Sequence, residues 1–120
     1  MENHRMSKEL EGIWQPLYAE LGGEEAPKMM LEKMEVELAA GKYTVRFGGE
    51  ASDHGTFTVD EGGLTLVGVD GPNAGRTIPC IFKFTGETLS ICYGLGGTRP
   101  TKHHTGKDPQ LYLVNYTRKG

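Results

Sequence analysis

The stretch Ile78-Pro79-Cys80-Ile81-Phe82-Lys83-Phe84-Thr85-Gly86-Glu87-Thr88-Leu89-Ser90-Ile91-Cys92-Tyr93-Gly94 decides the fold. Two runs with large apolar residues at alternate positions flank Gly86-Glu87. Period-two alternation marks a strand with one buried face, and a short glycine-bearing break marks a hairpin. Pairing Phe84 with Leu89 aligns Phe82 with Ile91 and Cys80 with Tyr93. That register gathers the large apolar side chains on one face, and a slip of one residue would invert one strand. It also sets Cys80 on the apolar face and Cys92 on the opposite one. A disulfide needs both sulfurs on one side at short range. Two free thiols are therefore expected, and neither cysteine has a Cys-x-x-Cys neighbour that would suggest a metal.

The same alternation runs outward in both directions. Tyr43, Val45 and Phe47 alternate with Thr44 and Arg46, and Gly55, Phe57 and Val59 alternate with Thr56 and Thr58. Gly22-Gly23, Gly48-Gly49 and Gly62-Gly63 punctuate the runs, as turns with left-handed backbone require. Strands are expected near 9–21, 34–40, 42–48, 54–60, 63–69, 76–85, 88–93 and 110–118. Pro16 predicts an unpaired edge or a bulge near the middle of the first of them. Glu24-Glu25-Ala26-Pro27 reads as a helix start, with Lys28 to Lys33 completing barely two turns. The reading is an all-β protein, an up-and-down antiparallel eight-stranded barrel with one short helix after the first strand. Residues 9–120 form a single domain behind a flexible N-terminus, 1–8. Eight strands enclose an interior that side chains fill or that holds one small ligand.

Composition narrows function. A chain of 120 residues is long enough to bury a core without staples. A net charge of −3 gives no electrostatic footprint for nucleic acid. No apolar run reaches the length of a membrane-spanning helix. The N-terminus, Met1 to Met6, lacks an apolar signal region. The expected compartment is the cytoplasm, or an extracytoplasmic one if a signal has been removed.

Two sets of residues carry a resemblance. Gly12-Ile13-Trp14, with Arg118 closing the last strand, resembles the G-x-W signature and closing arginine of the lipocalin and calycin barrels. Gly55-Thr56-Phe57, Leu89-Ser90-Ile91-Cys92-Tyr93-Gly94, Thr98-Arg99-Pro100 and Tyr116-Thr117-Arg118 are similar, in content and order, to a small uncharacterised bacterial domain described from planctomycetes. The resemblance implies a lipocalin-like barrel whose floor is Trp14 with Arg118 packed across its ring. The force is a cation–π contact, supplemented by guanidinium bonds to main-chain carbonyls. It implies no activity, ligand, cofactor or catalytic residue. His103 or His104 departs from the family by standing where an aromatic residue is usual.

The inward aromatic set is Tyr43, Phe47, Phe57, Phe82, Phe84, Tyr93, Tyr112 and Tyr116. It serves either as a pocket wall, since ligand pockets are apolar with a few polar tips, or as a packed core. Met29, Met30 and Leu31 on the short helix are expected to turn over the mouth opposite Trp14, as an adaptable lid. Arg99, beside Gly96-Gly97, could meet an anion or tie its loop to carbonyls. Arg46 and Lys83 should face solvent, leaving Arg118 and Arg76 as the only bases near the interior, so a fatty-acid role is not favoured. His103-His104 lacks a partner at metal-ligand spacing. No catalytic motif, metal set or cofactor motif emerges. The expected function is a binding module for a small, mostly apolar ligand. The alternative is a filled barrel serving as a structural or protein-interaction domain, and a third reading is an enzyme acting at the mouth. The oligomeric state is left open.

Overall fold

The computed structural model describes residues 8–60 and 63–119. Apart from Lys8, the segment expected to be flexible lies outside the described residues, as does Gly62 of the Gly62-Gly63 turn. The elements are β1 (Gly12–Leu21), β2 (Glu24–Glu25), α1 (Lys28–Glu32), β3 (Met34–Ala39), β4 (Lys42–Phe47), β5 (Glu50–Asp60), β6 (Gly63–Asp70), β7 (Thr77–Thr85), β8 (Thr88–Gly94) and β9 (Leu111–Arg118). From β3 to β9 each strand pairs with the next, and β1 pairs with both β3 and β9. Eight antiparallel strands thus close into an up-and-down barrel, with β2 a short addition beside the end of β1. Closure leaves no long sheet edge to template aggregation.

The β7–β8 register is the one the alternation requires, with Phe84 opposite Leu89, Phe82 opposite Ile91 and Cys80 opposite Tyr93. Pro16 sits at a bulge in the β1–β9 pairing, where Pro16 faces Tyr116 and Tyr18 faces Asn115. Leu17 is the extra residue there and is exposed. Three boundaries differ from expectation. Residues 8–10 are helical and β1 starts at Gly12, because Leu10 turns in to accept the Trp14 indole N–H. Glu24 and Glu25 pair with Leu21 and Glu20 rather than opening the helix, which starts behind an extended Pro27. β5 begins four residues earlier than expected, at Glu50, because bulges let the strand continue where its alternation breaks.

The two barrel ends are unlike. At one end Trp14 is buried and lies opposite Arg118, whose guanidinium carbon stands 4.3 Å from the ring centroid. The same guanidinium donates to Glu11 O at 2.6 Å and Glu9 O at 2.9 Å. Phe84 packs beside Trp14 with ring centroids 6.3 Å apart. Above this floor Leu38, Leu64, Leu89, Ile91, Val114 and Phe57 fill the lower interior. The opposite end carries the long connections: 22–33, 71–76 and 95–110.

The connection 95–110 lies against the outer wall. It covers Cys92 and Ser90, so β8 is buried on both faces. Thr105 Oγ1 donates to Glu20, Gly23 N–H donates to Thr105 Oγ1 at 2.9 Å, and Tyr18 O–H donates to Glu20 at 2.8 Å. Arg99 donates to Cys80 O at 2.7 Å, Leu64 O at 3.3 Å and Thr65 Oγ1 at 3.0 Å. Burial pushes both thiols up from their ordinary range.

Two predictions follow from this frame's closure and its buried sulfurs. Arg118→Ala should destabilise the fold by about 1–3 kcal/mol, the worth of a cation–π contact plus hydrogen bonds from a charged group. Arg118→Lys should restore only part, because an ammonium cannot lie flat on the ring and bond two carbonyls at once. Urea denaturation followed by Trp14 fluorescence measures both, and an unchanged midpoint for Arg118→Ala would refute a stabilising floor. Both thiols, buried and unpaired, should resist a water-soluble thiol reagent in the native state and react fully after denaturation. An intrachain disulfide in non-reduced protein would contradict this.

Candidate functional site

Above the packed half, the interior opens into a cavity of about 330 Å³. Leu21, Leu66, Ile78, Tyr93, Leu95 and Tyr112 form its apolar wall, and Tyr43, Asp53, Asn73 and Arg76 supply polar atoms. A cleft of about 410 Å³ lies at the floor end, lined by Trp14 and Phe84 and by the polar Glu87, Arg118 and Lys119. The mouth cavity is the one continuous with the interior.

Asp53 is the chemically distinctive residue, with only 6% of its surface exposed. It lies on the inner face of β5, in phase with Gly55 and Phe57. Bulges flank it: Ser52 is the extra residue opposite β4 and Val69 the extra residue opposite β5. Bulges bend a strand and re-aim side chains. The carboxylate accepts Tyr43 O–H at 3.2 Å, Asn73 Nδ2–H at 2.8 Å and Asn73 backbone N–H at 3.3 Å. These donors compensate burial of the polar group. Asn73 Oδ1 in turn accepts from Arg76, whose other amino group donates to Leu95 O at 2.5 Å. Connection 71–76 is thereby fastened across the mouth.

Two glycines make this approach feasible. A Cβ on Gly68 would stand 1.9 Å from Asn73 O, and one on Gly55 would stand 2.0 Å from Val67 O and 2.7 Å from the Tyr43 ring. Glycine within a strand marks such close backbone contact.

On the other side of the cavity, the Tyr93 and Tyr112 rings lie 5.4 Å apart. Tyr93 Oη and Tyr116 Oη are 2.5 Å apart, one hydroxyl donating to the other, beneath the opening. Burial pushes the Tyr43 phenol up to about 12, helped by the Asp53 charge and hydrogen bond. Burial likewise raises Tyr93, Tyr112 and Tyr116, and the bond to Glu20 raises Tyr18.

Of the expected pocket residues, Tyr43, Tyr93 and Tyr112 line this cavity. Phe57 is buried in the core, and Phe82 packs against that core. Phe84 belongs to the floor end beside Trp14. Phe47 corrects the inward assignment: it ends β4, past the closed part of the wall, and is 46% exposed. The lid is also corrected. α1 lies against β1 and β3 with only Leu31 buried, while Met29 and Met30 point outward at 71% and 40% exposure. The gap between β1 and β3 needed one apolar plug, and Leu31 supplies it while Gln15 Nε2 bonds the Leu31 and Met34 carbonyls. Connection 71–76 and Leu95 occupy the place expected of the lid. Arg99 spends its guanidinium on its loop's own anchorage. His103 Nδ1 lies 3.5 Å from Ser90 Oγ on the outer wall. Among the described residues no three His, Cys, Asp or Glu side chains converge as a metal set, and no helix is long and apolar enough to cross a membrane.

Asp53, Asn73, Leu66, Ile78 and Leu95 were not singled out from sequence. Extending the β5 alternation one step back from Gly55 would have placed Asp53 inside, and Gly55 and Gly68 within strands signalled a close approach. Comparison with known protein families, curated proteins and solved structures finds no match.

The phenols predict behaviour at high pH. Each tyrosine has a folded value above its unfolded one near 10, so its stabilising contribution is complete below about pH 10 and lost as pH rises through the folded value. For Tyr43 that window is pH 10 to about 12. Absorbance titration should show little tyrosinate at about pH 10.5 and then a cooperative rise coincident with unfolding. Normal titration of most phenols near pH 10 in folded protein would contradict the buried set.

Proposed function

We propose that this chain is a binding module that holds a small, mostly apolar molecule in the mouth of a lipocalin-like barrel. One observation carries the reading: buried apolar side chains occupy the barrel below the Tyr93–Tyr116 pair, and above it a cavity opens where an apolar wall meets a few convergent polar atoms. Ligand sites have this composition, and about 330 Å³ falls near the lower end of their usual size. The occupant is therefore small. The packed lower half supports the rival reading, a structural barrel that binds nothing in its interior.

Titration with a neutral, solvatochromic apolar dye separates the two. The wild-type protein should bind it in a saturable, single-site manner. Leu66→Trp, which fills the cavity from its wall, should abolish binding while leaving the barrel's circular dichroism intact. Met30→Asp should change dye affinity less than about twofold, because Met30 lies outside the cavity. A wild-type protein that binds no dye would leave the filled structural barrel as the reading.

A further inference from the structure

The direction of the hydrogen bonds at the mouth specifies the ligand's polar end. The nearest donors to Asp53 are already directed at protein acceptors. Tyr43 O–H, Asn73 Nδ2–H and Asn73 N–H all point at the Asp53 carboxylate. Arg76 points one amino group at Asn73 Oδ1 and the other at Leu95 O. At Asp53 itself what remains toward the cavity is acceptor capacity, while Tyr112 O–H and the second Asn73 Nδ2–H keep donor capacity elsewhere on the wall. A carboxylate offers about four lone-pair sites, and Asp53 uses three. Tyr43, having donated its proton, keeps its oxygen lone pairs. Both residues line the cavity, and Asp53 is more than nine-tenths buried.

Charge points the same way. Inside the mouth the buried formal charge is the Asp53 carboxylate. Arg76 is exposed at the rim, where water competes for its remaining N–H groups. An anionic head group would gain little from Arg76 and would be repelled by Asp53 at low local dielectric. An ammonium group would meet a spare carboxylate lone pair and an opposite charge together.

We propose that the mouth cavity selects small apolar amines, with the ammonium group bonded to Asp53 and Tyr43 and the hydrocarbon against Leu66, Ile78, Tyr93 and Tyr112. The proposal rests on the binding-module reading and goes beyond it in naming the head group.

The test uses three molecules of one chain length, octylammonium, octanol and octanoate, each displacing the neutral dye near pH 7. Octylammonium should bind at least about tenfold tighter than octanol, the worth of a charge-assisted hydrogen bond, and octanoate weakest. Asp53→Asn should bring octylammonium down to the level of octanol while dye binding persists. Should that variant fail to fold, Asn73→Ala provides the second arm. It removes one donor from the carboxylate, so the preference for amine over alcohol should grow about threefold or more. Dye binding with octanoate equal to or tighter than octylammonium overturns the amine assignment and leaves the binding module standing. So does an amine preference that neither variant changes. Absence of dye binding removes both readings.

Discussion

The structure depends on where the first and last strands meet. Eight strands form a barrel only if β9 returns beside β1, and Trp14 and Arg118 face each other at that seam. The arginine does two things there. Its planar face covers the indole, and its edge bonds the carbonyls of Glu9 and Glu11, which precede β1. The chain's two ends are thus tied through one side chain, while the buried indole bonds Leu10 O and seals the floor. With one end sealed, apolar side chains stack upward from it, and any unfilled space falls at the other end.

The mouth is shaped by backbone proximity more than by bulky walls. Gly68 allows connection 71–76 to lie against the sheet, Gly55 lets Tyr43 and β6 come close, and bulges at Ser52 of β5 and Val69 of β6 bend the two strands beside Asp53. A buried carboxylate is expensive unless its lone pairs are met. Asn73 and Tyr43 meet most of them, so one acid both holds the roof down and gives the cavity its polarity. Under the proposed reading, anchorage and recognition fall to the same atoms.

The fold was legible in the sequence because period-two alternation and glycine punctuation are local signals. The β7–β8 register could be set from Phe82, Phe84, Leu89 and Ile91 alone, since slipping by one would turn a strand inside out. The bulge at Pro16 was legible because proline lacks the N–H that a ladder needs. The site was less so. Tyr43, Tyr93 and Tyr112 followed from alternation, but Phe47 shows that phase gives the face of a strand and not the height along the barrel. Asp53 escaped because Ser52-Asp53-His54 is a polar run just before Gly55 and looks like a turn rather than a strand. Met29 and Met30 misled because a methionine-rich helix suits a lid, yet the space beside α1 had room for Leu31 alone. Asn73 and Arg76 belong to a connection whose docking is set by close approach, and no local pattern announces that.

The covering of β8 by connection 95–110 divides the barrel into walls of unequal stiffness. Around β8 and β9, a second layer pinned by Thr105 and Arg99 shields the ladder from water on its outer side. Along β5, exposed positions alternate with the buried ones, so one face of that strand meets water. Local opening follows such differences in protection. Amide hydrogens of β8 should therefore exchange slowest, and local opening should come more easily along β5. The Tyr93 side of the mouth thus stands on the stiffer wall, and the Asp53 carboxylate on the more compliant one.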